Sequence, residues 1–303
     1  MIEILRPGLC DLVMDLGRPG RGALGVPAGG AADPAALAAA NCLVGNDASA
    51  AGLEITLSGP RLQFPLGGVA ALTGARFAAS RSSGAPVAWN ETLVLAAGEV
   101  LTLDRPEAGC RCWLALRGGL AVPQVMGSRS TFLPSGFGGH CGRPLQAGDI
   151  LHCGTPAEDM RLLRASPPTG EADDCLRVVA GPQTGQFDDA GLAAFFGGAY
   201  RVAAASDRRG LRLTGALVSH YQAELSSQGV LPGAIQVPPD AQPIILGWDG
   251  PVTGGYPVIA GVIAADVPRL AQLKPGEAIR FVTIEVEAAR ALAALSWEIK
   301  ELA

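Results

Sequence analysis

The chain has 303 residues, 49% of them hydrophobic and 17% charged, which supports two domains of ordinary size and excludes a disordered chain. A formal net charge of −5 excludes the basic face that nucleic-acid binding needs, and no apolar run reaches the length of a membrane span. Seven cysteines without framework spacing, and a start (MIEILRPGL) lacking a basic stretch and an apolar core, predict a reduced, cytoplasmic protein without a signal peptide.

Residues 1–32 alternate short strands with Gly/Pro turns. Ile2–Leu5 and Leu12–Met14 are strand-like; Asp15-Leu16-Gly17-Arg18-Pro19-Gly20 and Gly25-Val26-Pro27-Ala28-Gly29-Gly30 are turns. These glycines lack the G-x-G-x-x-G spacing of a dinucleotide-binding loop. Asp33-Pro34 is a helix start, with a carboxylate at the N-cap and proline at the first helical position. The helix is expected to reach about Val44, where Gly45-Asn46 ends it.

Short strand-like segments follow: Leu53–Leu57, Arg61–Phe64, Val69–Thr73, Val87–Asn90, Leu93–Leu95, Val100–Leu103 and Cys112–Leu116. Their spacing predicts an all-β barrel or sandwich, and the lack of long intervening helices disfavours a doubly wound α/β sheet. Residues 117–148 are glycine-rich and strand-poor, the kind of long loop that is usually functional. Its exposed amides, with Arg129 and Arg143, suit a carboxylate or phosphate; a solvated loop with surface-paired arginines is the alternative. Residues 155–175, rich in proline and charge, read as the linker between a 1–165 domain and a 166–303 domain.

The second half opens with a strand at Leu176–Val179, a short helix at Asp188–Phe196 and a strand at Tyr200–Val202. A polar turn, Ser206-Asp207-Arg208-Arg209-Gly210, runs into the next strand. Strands at Ala234–Val237 and Pro243–Trp248 flank the densest cluster of glycine and proline in the chain, which ends in Thr253-Gly254-Gly255-Tyr256-Pro257. Pro268–Leu273 reads as helix, Ala278–Val286 as strand, and Glu287 to about Leu302 as the longest helix. Ala31-Ala32-Asp33-Pro34 is echoed by Ala264-Ala265-Asp266-Val267-Pro268, as two copies of one β-barrel domain would produce.

A P-loop and a nucleophile elbow are both absent. Lysine occurs only at Lys274 and Lys300, neither in the Met-Lys-Met setting that carries biotin. The adjacent pairs His140-Cys141 and His152-Cys153 lack zinc-ligand spacing, so no metal site is expected. What remains are carboxylates, arginines, an amide and a tyrosine on glycine-rich loops. Asp249, Gln236, Tyr256 and Arg209 are the catalytic candidates: a carboxylate base, an amide that orients substrate, a tyrosine, and a guanidinium for a developing oxyanion. Asp15, Arg18, Arg143, Asp207, Thr253, Gly254 and Gly255 are the substrate-binding candidates. Each taken alone reads first as a turn stabiliser; as a set they suit a shared cleft.

The motifs R-P-G (6–8), D-x-G-R-P-G (15–20), G-V-P-x-G-G-A-x-D-P (25–34), L-E-I-T (53–56), G-S-R-S-T (127–131), S-D-R-x-G-x-R-L (206–213), G-x-I-Q-V-P (233–238) and T-G-G-Y-P (253–257) occur in one order along the chain. In this the chain resembles the family variously called the 5-oxoprolinase C subunit, allophanate hydrolase subunit 2 or biotin-dependent carboxyltransferase. The resemblance implies a mainly β (β-rich α+β) fold of two cyclophilin-like β-barrel domains with a few short helices. It implies a component of an ATP-dependent 5-oxoprolinase acting with partner B and A subunits on a small amide or carboxylate substrate. ATP is then bound with the partner subunits, and this chain carries no biotin. The alternatives it implies are a carboxyltransferase component of a biotin-dependent, urea carboxylase-like enzyme and a non-catalytic regulator of a sensor kinase. One departure from the family pattern is Trp248-Asp249-Gly250-Pro251-Val252, where many relatives carry bulkier polar residues.

Overall fold

Short apolar stretches that alternate and are cut by glycine turns favour strands over helices. In the computed structural model, which describes residues 1–156, 161–168, 174–221, 225–293 and 297–302, strands dominate. The chain divides into two units: Met1–Arg18, Gly29–Pro168 and Ser296–Ala303 form one, and Pro19–Ala28 with Thr169–Leu295 the other. Two stretches thus lie across the 165/166 boundary expected from the sequence.

Unit 1 is built from two five-stranded antiparallel sheets. The first has the order Ile150–Leu151, Ile2–Arg6, Arg61–Phe64, Glu99–Pro106, Phe77–Arg81. The second runs Cys10–Met14, Gly52–Thr56, Arg111–Leu116, Gly68–Gly74, Thr92–Leu95. Period-two alternation gives each strand an inner and an outer face. In the second sheet Val13, Leu53, Leu114 and Leu72 form one row, which joins Ile4, Leu62 and Leu101 of the first sheet in a single core. The neighbouring row, Leu12, Glu54, Trp113 and Thr73, lies on the opposite face. Helix α1, Pro34–Leu43, packs on this side: Thr73 Oγ1 donates to the Ala36 carbonyl at 2.8 Å, and Ala40 and Leu43 join Ala71 and Ala115. Its start is as expected, with Asp33 accepting from the Ala36 N–H at 2.9 Å.

Unit 2 is a closed barrel of Cys175–Ala180, Val258–Val262, Ala234–Gln236, Ile244–Leu246, Gly210–Thr214, Tyr200–Val202 and Ala278–Thr283. It closes by a parallel pairing of the first of these with the last. The core holds Phe195 of helix α2 (Asp189–Gly197) stacked on Phe281 at 4.5 Å, with Tyr200 alongside. A separate two-stranded ribbon pairs Gln228–Gly229 with Thr253–Gly254. Helices α3 (Val267–Leu270) and α4 (Val286–Leu292) are short.

The mainly β class is as expected; several elements differ. The long C-terminal helix is replaced by α4 and a strand, Glu298–Glu301, paired antiparallel with Leu163–Ser166 of unit 1. Strand pairing there overrides the helix propensity of Glu and Lys, which is worth only tenths of a kcal/mol per residue, about the level of noise for tertiary structure. Leu163–Ser166 itself lies in the expected linker, where Ala165 is buried against Leu43; residues 157–160 and 169–173 of that stretch are outside the described residues. Val87–Asn90 is not a strand, and Asn90 has a left-handed φ of 58°. Phe77–Arg81, with Phe77 turned into the core, is a strand that the apolar pattern does not announce.

Candidate functional site

In unit 2 the T-G-G-Y segment supplies one edge of the short ribbon, with Gly254 opposite Gln228 and Thr253 opposite Gly229. Gln236 ends a barrel strand and is 4% exposed; its Nε2 donates to the Tyr256 carbonyl at 3.3 Å. Gly254 is required here by space: a Cβ on it would lie 2.6 Å from Gln236 Nε2. Tyr256 is half-buried, and the Gly255 carbonyl accepts from the Leu225 N–H. The expected residues Gln236, Thr253, Gly254, Gly255 and Tyr256 are therefore brought together, with the amide lying against glycine backbone.

Asp249 lies in the adjoining turn and is 3% exposed. Its carboxylate is held by Arg208, whose Nε is 2.8 Å from Oδ2 and whose Nη2 is 3.3 Å from Oδ1. The backbone repeats the tie, since Asp249 N–H donates to the Arg208 carbonyl and Gly247 N–H to that of Arg209. Arg209 instead points outward, 64% exposed, and pairs with Asp207 at 2.9 Å. Arg208 is the residue that sequence reasoning passed over. Adjacent arginines in a turn face different ways, and nothing local says which one turns inward.

In unit 1 Asp15 organises the G-S-R-S-T loop. Its Oδ1 accepts from Ser128 Oγ at 2.6 Å, Ser130 Oγ at 2.6 Å and Gly17 N–H at 2.8 Å, while Oδ2 accepts from Arg129 N–H. Arg18, 2% exposed, donates to the Ser130 and Val125 carbonyls and lies 5.0 Å over the Phe137 ring. Gly138 lets these loops approach, for a Cβ there would collide with the Ser130 carbonyl. Arg143 forms a bidentate pair with Asp149, 2.8 Å on each side, and holds that carboxyl down to about 2. The two serines were legible in principle, because S-x-S in extended backbone puts both hydroxyls on one face. Glu54 was missed: fully buried, it accepts from Ala32 N–H at 2.7 Å and sits 3.4 Å from Arg111 Nε, tying the loop before α1 to the sheet.

Among the described residues no cluster of three or more His, Cys, Asp or Glu could hold a metal ion. No helix among them is long and apolar enough to cross a membrane. A cavity of about 330 Å³ in unit 1 is lined by Met1, Phe64, Val69, Leu116, Cys153 and Pro156 among others, and by none of the expected site residues.

The family model for the carboxyltransferase domain, subdomain A and B, matches residues 24–283. The chain is 42% identical to the 5-oxoprolinase C subunit of Escherichia coli (strain K12) over 291 residues, covering 95% of this chain and 93% of that one. It is 35% identical to the 5-oxoprolinase C subunit of Haemophilus influenzae, covering 96% and 94%. Among solved structures it matches the K. lactis urea amidolyase with a TM-score of 0.88 at 31% identity, covering 95% of this chain but 19% of that much longer one.

Proposed function

Because the chain belongs to the carboxyltransferase domain, subdomain A and B, family, we propose that it is a component of an ATP-dependent 5-oxoprolinase. The observation that carries this reading is the likeness to the 5-oxoprolinase C subunit along nearly the full length of both chains. The proposed reaction opens the lactam of 5-oxoproline to glutamate. ATP phosphorylates the amide oxygen and leaves as ADP, and water adds to the carbonyl carbon. The C–N bond then breaks with the proton going to the amine to leave an acyl phosphate, and a second water hydrolyses that to glutamate and phosphate. ATP is bound with the partner B and A subunits, in the reduced cytoplasm.

The site of unit 2 suits an amide substrate. Gln236 lies against glycine backbone, its amide filling the space a Cβ on Gly254 would take, and Thr253 and Tyr256 sit on the same segment. Arg209, exposed beside Asp207, is the guanidinium accessible to a substrate carboxylate, whereas Arg208 with Asp249 holds the turn in place. Asp15, Arg18 and Arg143 support the unit 1 loops and are proposed to act by positioning. The test is reconstitution with the B and A subunits, ATP and 5-oxoproline: glutamate forms only when this chain is present, and the chain alone forms none. Gly254→Ala is expected to push Gln236 aside and lower kcat/KM by roughly 10- to 100-fold with the melting temperature unchanged.

The likeness to urea amidolyase favours a second reading, a carboxyltransferase component that receives a carboxyl group from another chain's biotin. Absence of glutamate from the full set of subunits, together with urea carboxylation when a biotin carboxylase is supplied, decides for it.

A further inference from the structure

Three glutamines converge on the ribbon beside the T-G-G-Y segment. Gln183 is fully committed: its Oε1 accepts from Val258 N–H at 3.1 Å and its Nε2 donates to Gln228 Oε1 at 3.0 Å. That second bond fixes which way the Gln228 amide faces. Gln228 Nε2 is then left buried, with no hydrogen-bond partner among the described residues. A buried donor of this kind is costly and rare in folded proteins. Gln236 shows the complementary situation. Its Nε2 is occupied by the Tyr256 carbonyl, and its Oε1 accepts no hydrogen bond from the described residues.

The two amides share one face of the ribbon. Gln228 is the cross-strand partner of Gly254, and paired residues have Cβ positions about 5 Å apart on the same face. Gly254 has no Cβ, and the Gln236 amide occupies that space, 2.6 Å (Nε2) and 3.3 Å (Oε1) from where a Cβ would be. A donor and an acceptor with no partner among the described residues therefore lie on one face of this ribbon.

We propose that Gln228 and Gln236 form an amide-reading pair, Gln228 Nε2 donating to the substrate carbonyl oxygen and Gln236 Oε1 accepting from the substrate N–H, with Gln183 as positioning residue. A five-membered lactam is necessarily cis, so it presents C=O and N–H along one edge, the pattern this pair complements. The inference rests on the amide-hydrolase reading above and names the residues that recognise its substrate. Neither Gln183 nor Gln228 stands out in the sequence, since Gln183 lies in a turn and Gln228 in a two-residue strand, both outside the T-G-G-Y motif.

The experiment measures binding to the reconstituted complex of three probes: 5-oxoproline, its ring-oxygen lactone analogue, which lacks the N–H, and its thiolactam analogue, whose sulfur accepts weakly. Wild type is expected to prefer the lactam over each analogue by about 10-fold or more. Gln236→Leu abolishes the preference over the lactone and leaves that over the thiolactam. Gln228→Leu does the reverse, and the isosteric Gln228→Glu reproduces it in a side chain of unchanged size. Gln183→Leu moves the thiolactam ratio in the direction of Gln228→Leu. General damage to the fold shifts all three affinities together and leaves both ratios unmoved. A wild-type complex that binds 5-oxoproline, with variants that leave both ratios unmoved, overturns the pair alone. Failure of the wild type to bind 5-oxoproline overturns the functional reading and the pair with it.

Discussion

Asp249 and Arg208 illustrate how a charged residue in a glycine-rich turn is used. Both side chains are almost wholly withdrawn from water, at 1% and 8% exposure, and each satisfies the other. Removing one member of such a pair leaves an uncompensated charge, at a cost of about 3–5 kcal/mol. Asp249→Ala is therefore expected to lower the urea-unfolding free energy by that amount, with Asp249→Asn costing less. Loss of turnover in Asp249→Asn at an unchanged urea midpoint would instead make Asp249 the base. Asp11 presents the opposite case. It is 1% exposed, one oxygen accepts from the Gly8 N–H, and burial pushes its carboxyl up to about 7. The folded protein then favours the neutral acid, while the unfolded chain ionises near 3.8. Folding takes up a proton between those values, so stability is full below about pH 4 and falls as pH rises through 7. Denaturation between pH 5 and 8 is expected to show a loss on the order of 1–3 kcal/mol that Asp11→Asn largely removes.

At the scale of elements, α1 shows what local chemistry can specify. Asp33 accepts from the Ala36 N–H and Pro34 opens the first turn, all within four residues. Burial, with a smaller contribution from nearby Glu54, raises the Asp33 carboxyl to about 6, so the cap loses its charge at a higher pH than an exposed aspartate does. Asp33→Ala is expected to cost about 1 kcal/mol, and Asp33→Ser, which keeps a neutral acceptor, to restore most of it in thermal melts. The echo of this motif before α3 behaves differently. Asp266 makes no side-chain cap; its carboxylate pairs with Arg177, on a strand far earlier in the chain. The same local letters thus yield a cap in one place and an ion pair in the other. The difference comes from which basic residue the barrel brings alongside, and no window of sequence contains that information.

Across the whole molecule the order of the chain and the order in space part company. Glu298–Glu301, which follows all of unit 2 in sequence, completes a ladder with Leu163–Ser166 in unit 1, and Trp297 packs against the cluster of Ala40, Leu43 and Ala165. Deleting residues 297–302 is expected to speed amide exchange at Leu163–Ser166 and to leave the barrel strand Ala278–Thr283 protected. The mainly β class, the start of α1, the glycine-rich loops and the family likeness were legible in the residues themselves. Alternation, capping and tight turns are set by neighbours a few positions apart, and so a linear reading captures them. Other features belong to the tertiary structure: the parallel closure of Cys175–Ala180 on Ala278–Thr283, the inward turn of Arg208 rather than Arg209, the pairing of Gln183 with Gln228, and the terminal strand in place of a helix. Each depends on a partner brought close only by folding, and the local preferences it overrides are small beside the burial and hydrogen bonding that such a partner supplies.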